Sequence, residues 1–117
     1  MHRVFVYGTL KRGFCRHPAL SAQKFLGVAT SAPGFRLFDM GSYPGMIAAD
    51  DGISIEGELY EVDGSCLAEL DIIEGVDQGL YGRESIPLLA PWDDQPALTY
   101  IYLQSTEGHV EINRWPT

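Results

Sequence analysis

Only one stretch of the chain, Cys66 to Glu74, carries a convincing helical pattern, while extended patterns recur almost everywhere else. That imbalance argues against a succession of βαβ units, which needs a helix after nearly every strand. Arg3-Val4-Phe5-Val6-Tyr7 is β-branched and aromatic and reads as a first strand. Phe25 to Thr30 reads as another. Phe35 to Asp39 alternates apolar and polar with period two, as a half-buried strand does. Met46 to Ala49 is a short strand, and Ile53 to Val62 alternates again, with Gly57 marking a bulge or a close backbone approach. Leu80 to Leu89 and Leu98 to Leu103 are the last strands, joined by a hairpin-like connection over Ala90 to Pro96. His17 to Lys24 reads as either a short helix or an irregular loop, and the tail from Gln104 to Thr117 offers Val110, Ile112 and Trp115 as its core positions. Short strands, one helix, and glycines within and beside the strands suggest a mixed sheet curled into a barrel-like α+β fold.

The 117 residues make one domain, 1–117, and a hydrophobic share of 45% is enough to fill its core. Eight basic against 16 acidic residues give a formal charge of -8, which argues against a nucleic-acid role because phosphate binding needs a basic face. An anionic small ligand stays open, since one pocket can oppose the global field. Cys15 and Cys66 form no C-x-x-C pair, and His2, His17 and His109 are scattered, so no metal-ligand spacing exists and no metal is expected. Two free thiols in a reducing compartment are expected. Met1-His2-Arg3 leads straight into a strand with no signal-peptide core, and no run approaches the ~18 apolar residues of a membrane helix. A cytoplasmic location is the expectation. The sequence leaves oligomeric state open.

Two features could carry chemistry. After the first strand comes Gly8-Thr9-Leu10-Lys11-Arg12-Gly13, where two glycines frame a tight turn. Gly8 lets backbone approach a ligand and can take positive φ. Successive N–H groups in such a turn can converge on an anion or a developing oxyanion. It is not a phosphate loop, because Phe14 and not Lys follows Gly13. The competing reading is an ordinary turn. The second feature is Glu74. At ~100° per residue, with Leu67 at zero, Leu70 falls near ~-60° and Glu74 near ~-20°, inside the apolar stripe. Glu69 falls near ~200°, on the solvated side. A carboxylate facing inward has a raised pKa and is a candidate acid–base. Asp71, near ~+40°, also qualifies, and Glu74 could instead reach water at a frayed helix end or pair with Arg83.

Other residues read more simply. Tyr81 and Arg83 could reach back from the following strand to a pocket, although packing and a surface ion pair are commoner fates. Glu56 and Glu58 share a strand face, usually a solvated one. Trp92 and Trp115 read as packing. Lys11, Arg12 and Arg16 form a basic cluster near the turn that could steer an acidic ligand.

Taken together, Val4-Phe5-Val6-Tyr7-Gly8-Thr9-Leu10-Lys11-Arg12-Gly13, Gly57-Glu58-Leu59-Tyr60-Glu61-Val62, Leu70-Asp71 with Glu74, Tyr81 and Arg83, and Tyr100-Ile101-Tyr102 make the chain resemble the gamma-glutamyl cyclotransferase-like family. The pieces stand in family order and cover most of the chain. The resemblance implies a small mixed β-barrel with flanking helices. It implies that Tyr7, Gly8, Thr9 and Leu10, with Tyr81, line the substrate site, and that Glu74 rather than Asp71 is the general acid–base. The implied reaction converts a gamma-glutamyl amine or gamma-glutamyl peptide into 5-oxoproline and a free amine, with no metal or organic cofactor. The substrate carries its own nucleophile, so the protein mainly has to fold it into a near-attack geometry. Substrate choice is expected to rest on loops near Cys15 to Gln23, Gly41 to Gly45 and Trp92 to Pro96. A non-catalytic binding module for an amino-acid-like metabolite is the alternative, because fold and pocket do not guarantee reaction.

Overall fold

The computed structural model describes residues 1–116. Eight strands, one α-helix and two single 3₁₀ turns follow in order: β1 (His2–Val6), a 3₁₀ turn (His17–Leu20), β2 (Lys24–Thr30), β3 (Phe35–Asp39), β4 (Pro44–Ala48), β5 (Glu56–Val62), α1 (Gly64–Ile73), a second 3₁₀ turn (Val76–Gln78), β6 (Tyr81–Ile86), β7 (Ala97–Tyr102) and β8 (Val110–Ile112). They form a five-stranded sheet in the order β2-β5-β1-β7-β6 and a three-stranded sheet in the order β4-β3-β8.

The expected barrel is not formed. The edges of the larger sheet, β2 and β6, meet only beyond their ends, at an isolated bridge between Ser31 and Leu88. The smaller sheet packs separately instead of closing the larger one. The expected flanking helices reduce to α1 and the two short 3₁₀ turns. The architecture is therefore α+β with two open sheets.

β1 lies at the centre because both its faces are apolar. Val4 and Val6 point into a cluster with Tyr60, Val62, Leu67, Leu70 and Tyr100 beneath α1. Phe5 and Tyr7 point the other way, into a cluster with Leu37, Met46, Leu59 and Ile101 beneath the smaller sheet. Burying each such side chain contributes about 1.5–3 kcal/mol. β1 pairs antiparallel with β5 over His2–Val62 to Val6–Glu58. With β7 it runs parallel, and the pairing is confined to Val4–Leu98.

Gly57 marks a close approach and not a bulge: a Cβ there would clash with the Val6 carbonyl oxygen. The bulge lies in the partner strand, between Phe25 and Gly27. The expected strand from Ile53 is shorter, beginning at Glu56, with Ile53 making only an isolated bridge to Phe35. The strand expected over Leu80 to Leu89 stops at Ile86. Val110 is not a core residue: it lies in β8, an edge strand paired only with β3, and is 70% exposed.

α1 is built from local signals. Asp63 is its N-cap, accepting from the Cys66 amide at 2.7 Å. Gly75 ends it with φ at 65°, a left-handed conformation that glycine adopts without penalty. Among the described residues, no helix is long and apolar enough to cross a membrane.

Candidate active site

The ladder pairing of the parallel strands β1 and β7 is confined to Val4–Leu98, and beyond it side chains join the two strands. The Thr99 hydroxyl donates to the Phe5 carbonyl at 2.8 Å. The Tyr7 hydroxyl donates to the Tyr100 carbonyl at 2.5 Å and accepts from the Met46 amide at 3.3 Å. The opening at the carboxyl end of β1 is a pocket of ≈ 480 Å³, its open mouth included. Clefts at such strand ends are where ligands of parallel pairs commonly bind.

Tyr7, Gly8, Thr9, Leu10, Glu74 and Tyr81 all line this pocket. The turn that carries four of them is closed by the Lys11 amide donating to the Gly8 carbonyl at 3.0 Å. It is tied down by the Arg16 amide on the Thr9 carbonyl at 2.9 Å. Among the described residues, the Thr9 and Leu10 amides have no protein acceptor. They are donors available to a ligand. Gly8 differs from expectation. Its φ is not positive, and its missing Cβ makes room for the Pro44 ring, which a Cβ would meet at 2.8 Å.

Glu74 caps the C-terminus of α1, its amide bonded to the Leu70 carbonyl at 2.9 Å. It stands four residues after the buried Leu70, so the apolar stripe of the helix carries its carboxylate inward, and it is 9% exposed. Burial pushes its pKa up to about 7, against a smaller opposing pull from Arg16. Asp71 has a different fate. Its two oxygens accept from the Tyr100 hydroxyl and from Arg83, each at 2.8 Å. Arg83 is thereby held away from the pocket and from Glu74. Tyr81 reaches in, its hydroxyl donating to the Pro44 carbonyl at 2.6 Å. The phenols of Tyr7 and Tyr81 are raised by burial first, with the Glu74 charge adding to both. They stay neutral near pH 7, and Glu74 is the wall group that titrates there.

The basic cluster divides. Lys11 reaches the Trp115 carbonyl at 2.5 Å, and Arg12 binds Glu58 through its amide at 2.9 Å and its Nε at 3.2 Å. Glu58 also accepts from the Tyr60 hydroxyl, so it is not the solvated strand carboxylate expected. Arg16 alone of the three lines the pocket, with its Nη1 donating to the Ile73 carbonyl at 2.9 Å. Tyr43, Pro44 and Tyr100 line it too. Tyr43 and Pro44 fall within the Gly41 to Gly45 loop expected to bear on substrate choice; Tyr100 reaches the pocket through the parallel pairing of β7 with β1. The loop at Trp92 to Pro96 does not reach it: the Trp92 indole packs over Gly27 and donates to the Val28 carbonyl at 2.9 Å. Among the described residues, no group of three or more His, Cys, Asp or Glu is placed to hold a metal.

A family model described as "Gamma-glutamyl cyclotransferase, AIG2-like" matches residues 4–116. The chain belongs to this family. Among relatives of the gamma-glutamyl cyclotransferase, AIG2-like family is a Vibrio cholerae protein provisionally named a gamma-glutamylcyclotransferase. It is 38% identical over 114 residues, covering 96% of this chain and 91% of the relative. The gamma-glutamylcyclotransferase family protein YtfP of Escherichia coli is 30% identical over 108 residues, covering 91% and 87%. The crystal structure of an AIG2-like protein from mouse superposes with a TM-score of 0.80 at 25% identity, covering 98% of this chain and 88% of the mouse protein.

Proposed function

We propose that the protein converts a gamma-glutamyl amine or gamma-glutamyl peptide into 5-oxoproline and the free amine, with Glu74 as general acid–base. The observation that carries this reading is the buried Glu74 carboxyl, with its pKa at about 7, in the same pocket as the free amides of Thr9 and Leu10. Family membership supports the reaction class.

The substrate's α-amino group is its own nucleophile but is protonated near neutral pH. Glu74 as carboxylate takes one proton from that ammonium. The freed nitrogen attacks the gamma-carbonyl carbon and forms the five-membered ring. The carbonyl oxygen becomes an oxyanion, and the Thr9 and Leu10 amides are the donors suited to hold it. Protonated Glu74 then gives its proton to the departing amine as the original C–N bond breaks and the oxyanion returns to a carbonyl. The restored Glu74 carboxylate takes the second proton from the ring nitrogen and passes it to the freed amine, which leaves as its ammonium ion. Carboxylate and carboxylic acid are both populated near pH 7, which suits a group that must act first as base and then as acid. Attack within one molecule leaves the pocket mainly the task of folding the glutamyl chain.

The test is incubation with a panel of gamma-glutamyl compounds and assay of 5-oxoproline, with Glu74→Gln beside wild type. A folded Glu74→Gln is expected to lose about 10²- to 10⁴-fold in turnover. Unchanged turnover would remove Glu74 from the mechanism. Thermal stabilisation by the panel without any 5-oxoproline would make the protein a binding module.

A further inference from the structure

The pocket wall carries two formal charges, Glu74 and Arg16. Arg16 also lines a second, open groove of ≈ 820 Å³ with Cys15, Pro18, Ala19, Glu69 and Ile73. It therefore stands at the boundary where the enclosed pocket gives onto the surface. Its Nη1 is fixed on the Ile73 carbonyl at 2.9 Å. Among the described residues, its other guanidinium nitrogens have no hydrogen-bond acceptor and it has no carboxylate partner, whereas Arg3, Arg12, Arg36 and Arg83 each have one.

In the reaction proposed above, the glutamyl carbons fill the enclosed pocket and the departing amine leaves past the group that protonates it. That group is Glu74, and its neighbour Ile73 forms part of the wall of the outer groove. The leaving group therefore passes Arg16. From this position, resting on the cyclotransferase reading, we propose that Arg16 binds a carboxylate on the leaving group. The preferred substrates are then gamma-glutamyl conjugates of α-amino acids, in which the carboxylate is carried on the carbon bonded to the scissile nitrogen. A guanidinium tethered by one N–H and open at the others suits a carboxylate, which takes two parallel N–H donors. Glu69, an exposed carboxylate on the same groove, opposes a second negative charge further out.

Two ligands that differ only in this carboxylate test the assignment: gamma-glutamyl-alanine and gamma-glutamyl-ethylamide. Their affinities are measured by calorimetry in Glu74→Gln, where turnover does not interfere. The alanine conjugate is expected to bind about 10- to 150-fold more tightly, the range for a charge-assisted hydrogen bond. Adding Arg16→Gln is expected to bring the ratio within about threefold of one, and Arg16→Lys to keep part of the preference. The ratio separates this role from the Ile73 tether, because loosening the helix end weakens both ligands alike. The kcat/KM ratio in wild type and Arg16→Gln repeats the comparison with Glu74 in place. Equal binding, an unchanged ratio in Arg16→Gln, or an equal loss for both ligands would overturn the assignment. 5-Oxoproline formed without preference would sink the Arg16 assignment alone. Preferential binding with no 5-oxoproline from wild type would sink the reaction and keep the carboxylate subsite. Failure of both ligands to bind would overturn both.

Discussion

Gly8 is pressed against Pro44: an added Cβ would lie 2.8 Å from the Pro44 Cδ and Cγ. The contact seats the pocket-lining turn on the start of β4, whose Pro44 carbonyl in turn holds the Tyr81 hydroxyl. Gly8→Ala should displace all three together. The expected cost is about 1–3 kcal/mol of stability, the usual range for overpacking, together with a higher KM. Urea denaturation and steady-state kinetics measure the two effects.

Glu74 ties stability to pH in a direction opposite to that of most carboxylates. Its folded-state pKa, about 7, is above the ordinary value of 4.5. Between these values the folded state holds a proton that the unfolded state has lost, so stability falls as pH rises through the window and levels off above it. Glu74→Gln removes this dependence. The variant should match wild type near pH 4 and be more stable above pH 8, by as much as about 3 kcal/mol. Thermal melts of both proteins across that range give the answer.

The same group should shape catalysis. Turnover that needs the Glu74 carboxylate should rise with pH to a plateau above its pKa of about 7. Arg16 lowers that pKa, while the Tyr7, Tyr81 and Tyr100 phenols around it stay neutral. Arg16→Gln should therefore move the acidic limb of the kcat/KM profile to higher pH. An unmoved limb would separate Arg16 electrostatically from Glu74.

Tyr7→Phe deletes a buried hydroxyl with two partners, the Tyr100 carbonyl and the Met46 amide. Both would be left unpaired in the core. The expected loss is about 1–3 kcal/mol for each unsatisfied group, more than for Tyr81→Phe, which orphans only the Pro44 carbonyl. Chemical denaturation ranks the two variants.

The cysteines should differ sharply towards a thiol reagent. Cys15 is exposed, whereas Cys66 is on the buried face of α1, its thiol pKa raised by that burial. Mass spectrometry after brief labelling should show one modified site in the folded protein and two after denaturation.

Short-range signals carried most of what was legible in advance. The β1 run and the helical period of α1 act within a few residues and are legible in the pattern, and the Asp63 cap and Gly75 that bound the helix are equally local. Glu74 and the Tyr7–Leu10 turn line one pocket. Partners distant in the chain were not legible. Alternation says that β7 is a strand but not that it lies parallel beside β1. Tyr100 therefore reaches the site unannounced, and the open sheet edges replace the expected barrel. Glu58 looks solvated until Arg12, 46 residues away, is folded onto it.

The parallel seam between β1 and β7 also dictates when a working site can exist. Its bonds join residues 93 and 94 positions apart, Tyr7 to Tyr100 and Thr99 to Phe5. Closing so long a loop is slow and costs entropy before any contact offsets it. No partly assembled chain that lacks β7 can offer the pocket. Activity should thus return during refolding in step with the slowest structural phase, which makes catalysis itself a reporter of complete folding.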